Sequence, residues 1–121
     1  MDLHNIVERY LAVWNETDPT ARRKLIDDVW ATDGTYTDPL TATRGRDEFD
    51  AALAAVQSQF PGLTFRLGSP VDAHHNVARF TWELAPEGAD EALVIGFDVL
   101  TATEDGRIAT VVGFLDKVPS A

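Results

Sequence analysis

Asp98 is the residue whose setting most invites chemistry. It interrupts Leu93-Val94-Ile95-Gly96-Phe97-Asp98-Val99-Leu100, a segment otherwise apolar on both alternating faces. Burial disfavours a charged carboxylate, so this acid is expected to hold its proton near neutrality and to be able to donate a hydrogen bond. Pairing with an arginine or with backbone N–H groups, or a place at a subunit interface, is the alternative. Asp38 follows the β-favouring Thr35-Tyr36-Thr37 and precedes Pro39, which fits a reactive acid at the rim of a sheet and equally an ordinary turn residue. Tyr10 shares a helical stripe with Ile6 and Trp14, so its ring is expected to pack while its hydroxyl finds a partner. His74-His75 reads as a hairpin turn. No spaced set of His or Cys joins it, so no metal is expected.

The elements that must position these groups follow from periodicity. Leu3, Ile6, Val7, Tyr10, Leu11 and Trp14 predict a helix over roughly residues 2–15. Asp18-Pro19 opens a second, continued by Leu25, Ile26, Val29 and Trp30, because Asp caps free N–H groups and Pro fits a first turn. A short strand over 35–37 precedes a third helix from Arg46, with Phe49, Ala52, Leu53, Val56 and Phe60 on its apolar face and Pro61-Gly62 as its stop. From residue 63 the pattern becomes extended, over about 63–72, 76–85, 91–103 and 107–117, an antiparallel meander. Gly96 and Gly113 sit inside these strands, where a bend or a close backbone approach is the usual reason. Strands this long must curl, and helices on the concave side then leave a cone-shaped hollow. The fold expected is α+β, with three N-terminal helices on a strongly curved, mainly antiparallel sheet around a central pocket. Trp14, Trp30, Phe80, Trp82, Phe97 and Phe114 are the expected lining.

The 121 residues suit one domain, 1–121. A formal charge of -10 would repel a phosphate backbone, so nucleic acid is not an expected partner. No apolar run approaches the length of a membrane span, and the N-terminus lacks the basic-then-apolar order of a secretion signal, so a cytoplasmic location is expected. Arg22-Arg23-Lys24 is expected to be a solvated helix face. Apolar residues on both faces of the 76–85 and 91–103 segments predict a homodimer.

The order of Arg9-Tyr10-Leu11, Asp33-Gly34-Thr35-Tyr36-Thr37-Asp38-Pro39, Gly45-Arg46-Asp47, Phe97-Asp98-Val99-Leu100 and Asp105-Gly106-Arg107-Ile108 resembles the nuclear transport factor 2-like superfamily. Within it, the chain looks like the SnoaL-like polyketide cyclases and the ketosteroid isomerases. The resemblance implies that Asp38 is a general base while Tyr10 and protonated Asp98 hold an enolate oxygen, on a small apolar carbonyl-containing ligand and without a cofactor. Trp30 and Leu53 stand where some members carry supporting tyrosines. Two other functions are compatible with the superfamily: a ligand-binding or dimerisation module without catalysis, and an epoxide-type hydrolase using Asp98 or Asp116 with Arg79.

Overall fold

The computed structural model describes residues 2–119. Its elements run α1 (Leu3–Asn15), α2 (Pro19–Val29), β1 (Trp30–Thr37), β2 (Ala42–Arg44), α3 (Arg46–Gln59), β3 (Leu63–Leu67), β4 (Asp72–His74), β5 (Val77–Pro86), β6 (Val94–Ala102) and β7 (Ile108–Lys117). Capping sets the helix starts. Asp2 accepts from the Asn5 N–H at the head of α1, and Asp18 accepts from the Ala21 N–H at the head of α2, with Pro19 in the first turn.

The strands form a single mixed sheet in the order β2-β1-β7-β6-β5-β3, with β4 also on β5. β5, β6 and β7 make the antiparallel meander, and β1 joins β7 in parallel. Register shifts in the β1–β7 and β6–β7 pairings bend the sheet, as bulges do. The helices pack on one face only, where Ala78, Phe80, Leu100, Ala102 and Val111 join Leu3, Ile6, Val7, Ile26, Phe49 and Leu53 in the core. The result is an α+β cone with an unclosed sheet.

Three local expectations change. Trp30 opens β1 instead of closing the second helix; no breaker separates the two elements, and the chain passes from α2 straight into the strand. The stretch expected as one strand over 63–72 is two, because the break spans Pro70, which has no N–H to give to a ladder; there Gly68 N–H donates to the Thr81 carbonyl and Ser69 Oγ accepts from the Thr81 N–H. Arg22 is buried and not solvated: α2 packs on α3, and its guanidinium donates to Asp50 at 2.7 Å and Gln57 at 2.8 Å, while Lys24 stays exposed. His74 ends β4 and His75 takes a left-handed turn conformation (φ 52°) between β4 and β5.

Candidate functional site

A cavity of about 260 Å³ opens between the concave face of the sheet and helices α1 and α3. Tyr10, Asp38 and Asp98 all line it, so residues 88 positions apart in sequence meet in one space. Strand parity explains how. On β6 the even positions Val94, Gly96, Asp98, Leu100 and Ala102 face inward and are buried, while the odd positions between them are half-buried on the convex face.

Asp98 is 2% exposed, and its Oδ2 accepts the Tyr10 hydroxyl at 3.0 Å. Its other oxygen, Oδ1, has no hydrogen-bond partner among the described residues. Burial pushes the Asp98 carboxyl up to about 6, with nearby Asp38 adding to the rise; the Trp82 indole and the Tyr10 hydroxyl oppose it by favouring the anion. The indole approaches the carboxyl without completing a hydrogen bond that satisfies Oδ1. Burial and the Asp98 charge raise the Tyr10 hydroxyl well above its ordinary range, so it keeps its proton and remains a donor.

Two glycines make this geometry possible. Gly113 lies opposite Asp98 across β6–β7, and a Cβ there would fall 2.6 Å from Asp98 Oδ1 and 3.6 Å from Asp38 Cβ. Both acids therefore close over one bare stretch of backbone. Gly96 lies opposite Trp82, and a Cβ there would come within 2.0 Å of the indole, so the ring lies flat across the sheet beside Asp98.

Asp38 sits in the tight link between β1 and β2. Its Oδ1 accepts the backbone N–H groups of Leu40 at 2.8 Å and Thr41 at 2.9 Å, which is the turn role its sequence suggested. Its Oδ2 accepts the Tyr36 hydroxyl at 2.6 Å. Tyr36, which lines the cavity, was not among the site residues expected from sequence. Its position two residues before Asp38 on a strand was the available signal, since i and i+2 share a face.

Of the six expected lining aromatics, Trp14 and Trp82 line the cavity. Trp30 and Phe80 lie beneath it, fully buried, with Trp30 stacked on Phe49 at 3.8 Å. Phe97 and Phe114 point the other way: as neighbours of inward-facing Asp98 and Gly113 they must occupy the convex face, where they form a cross-strand pair. Leu11, Tyr36, Leu40, Val56, Phe60 and Phe65 complete the wall in their place. Leu53 is core. Arg79 pairs with Asp72 at 2.9 Å and is exposed on the convex face, on the opposite side of the sheet from Asp98; Asp116 is exposed as well, so a hydrolytic Arg–acid set is not assembled. Among the described residues no cluster of three or more His, Cys, Asp or Glu is placed to hold a metal ion. No described helix is long and apolar enough to cross a membrane.

A second cavity, of about 410 Å³, shares Trp14, Val56, Phe60, Phe65 and Leu84 with the first but lacks its pair of acids and its tyrosines. The cavity with Asp38 and Asp98 can do more. It offers an apolar space with no cationic lining group among the described residues, two acids, of which Asp98 binds its proton more tightly than an ordinary carboxylate, and two phenols that stay protonated.

A solved structure from Agrobacterium tumefaciens, described as a candidate isomerase of the SnoaL-like family, is 41% identical, with 93% of this chain and 95% of that one covered at a TM-score of 0.86. A candidate SnoaL-like polyketide cyclase from Jannaschia sp. is 17% identical, with 92% and 85% covered at a TM-score of 0.70. A protein of ketosteroid isomerase-like fold from Catenulispora acidiphila, solved with trimethylamine, is 19% identical, with 89% and 82% covered at 0.68. These last two likenesses speak to fold alone. No functionally curated protein matches the chain. The SnoaL-like domain matches residues 7–111, and with the 41% identical relative this shows that the chain belongs to the SnoaL-like family of NTF2-like proteins.

Proposed function

We propose that the protein is a cofactor-independent isomerase or cyclase that moves a proton next to a carbonyl group. The observation that carries this reading is the Tyr10–Asp98 pair, 3.0 Å apart at the apolar floor of the cavity, with Asp38 across Gly113. Asp38 takes a proton from the carbon beside the carbonyl, and the electron pair of that C–H bond moves to oxygen as an enolate. When Asp98 takes up a proton the direction of its bond to Tyr10 reverses: Asp98 donates to Tyr10, which frees the Tyr10 hydroxyl to donate to the enolate oxygen. Asp38 then returns the proton to carbon. In a cyclisation the enolate carbon instead attacks a second carbonyl of the same ligand, whose C=O π pair moves to oxygen and takes up the proton held by Asp38.

The cavity volume of about 260 Å³ lies below the usual range of ~300–1,000 Å³ for drug-sized ligands, which favours one- or two-ring compounds over a steroid. Among the described residues no cationic group lines the cavity beside the two acids, which disfavours an anionic ligand. A suitable probe is therefore 2-tetralone, a neutral two-ring ketone. Proton NMR in D2O is expected to show protein-catalysed exchange of its α-protons, lost in Asp38→Asn. Wild-type exchange no faster than buffer would overturn the reading.

One observation favours a second reading, a ligand-binding module without catalysis: both Asp38 oxygens are already engaged by three donors. On that reading 2-tetralone binds without exchange and Asp38→Asn leaves its affinity unchanged. In either case we expect a homodimer formed through the convex face, where Val112 and Phe114 are 44% and 56% exposed beside Phe97 and Val99. Light scattering that finds a monomer would refute the dimer.

A further inference from the structure

Asp38 has only one oxygen left for proton transfer. Oδ1 is bound by two backbone N–H groups, so chemistry falls to Oδ2, and one side of that oxygen is taken by the Tyr36 hydroxyl. Tyr36 is itself firmly held. It sits in β1 between Thr43 of β2 and Val111 of β7, is 3% exposed, and packs its ring against Trp14 at 5.6 Å and Phe49 at 5.7 Å.

We propose that Tyr36 is a positioning residue for the base: its hydroxyl fixes Asp38 Oδ2 so that the remaining lone pair of that oxygen points into the cavity. The inference rests on the proposed proton-transfer function. Tyr36 suits the task because burial, the Asp98 charge and the bond to Asp38 all raise its hydroxyl, which therefore stays a donor. Without it the carboxylate is anchored through Oδ1 alone and its plane can swing. Misplacement of a base by about 1 Å costs on the order of 100-fold in rate. The hydroxyl holds the base without touching the ligand's reacting carbon, so its loss should reduce turnover more than binding.

The test is Tyr36→Phe in the full chain, which keeps the ring and its packing. With 2-tetralone in D2O, exchange at saturating ketone is expected to fall about 10- to 100-fold, while the half-saturating concentration changes less than about twofold. The same variant is expected to lose a downfield hydroxyl proton resonance, the mark of a short O–H···O bond to a carboxylate. A Tyr36→Phe protein that exchanges 2-tetralone at the wild-type rate would overturn the inference and leave the proposed function standing. Wild-type protein that binds 2-tetralone without exchanging it would overturn both. A merely structural tyrosine would lose the resonance and leave the rate at saturation unchanged, which also counts against the proposal.

Discussion

Replacing Asp98 by Asn should stabilise the fold at neutral pH, by an amount that disappears as the solution is acidified. The carboxyl is 2% exposed and its pKa is raised to about 6 from an ordinary 3.8. One pKa unit is worth ~1.36 kcal/mol, so the buried anion costs about 3 kcal/mol above pH 6. The sign is opposite to that of a salt-bridged acid. Folding takes up a proton at Asp98 between the two values, so this group's stability is fully present below pH 3.8 and is lost as pH rises through 6. Asn keeps the shape, offers Tyr10 an acceptor and carries no charge. Urea unfolding of both proteins from pH 4 to pH 8 isolates the effect, because the other carboxylates are common to both. Asp98→Asn is expected to be more stable by about 3 kcal/mol at pH 8 and nearly equal at pH 4, with a melting difference on the order of 10 °C at the alkaline end. Equal stability at pH 8, or a difference that does not change with pH, would show that the buried anion carries no such cost.

Gly113→Ala places a methyl 2.6 Å from Asp98 Oδ1, which forces the carboxyl off Tyr10; a stability loss of ~1–3 kcal/mol in urea melts and a loss of 2-tetralone exchange are expected together. The rate of that exchange at low ketone should fall as pH rises through about 6, because the donor form of Asp98 is then lost and the anion predominates about tenfold at pH 7. A rate that climbs through pH 6 would assign the base to Asp98 instead. Arg22→Ala removes a buried guanidinium and leaves Asp50 and Gln57 facing an empty space; a loss of about 3 kcal/mol in urea melts is expected, with 2-tetralone affinity preserved.

Asp98 was legible from sequence because a lone acid in a fully apolar strand has few places to go but a cavity or an interface. The helix α3 was legible to within a residue, since Pro61-Gly62 ends it and its apolar face repeats at helical spacing. Trp30 was not, because Leu25, Ile26, Val29 and Trp30 continue a helical stripe and nothing in their types marks the passage into β1. Phe97 and Phe114 were placed by composition where parity decides: a strand cannot turn both Phe97 and Asp98 to the same side. Gly96 and Gly113 announced a close approach, and the partners, Trp82 and the two acids, came only with the register of β5, β6 and β7. Tyr36 stayed hidden because Thr-Tyr-Thr is ordinary strand sequence. Only the turn at Asp38 folds the carboxylate back onto the hydroxyl two residues earlier.

On the proposed mechanism Asp98 takes up a proton and, with Tyr10, stabilises an enolate. Carbon-13 NMR of its carboxyl group across pH, alone and with 2-naphthol as a planar enolate mimic, tests this most directly. A midpoint near 6 is expected in the free protein, a higher one with 2-naphthol bound, and a shift of the Tyr10 ring signals on binding. A midpoint at the ordinary ~3.9, or one that 2-naphthol leaves unmoved while it binds, would contradict it.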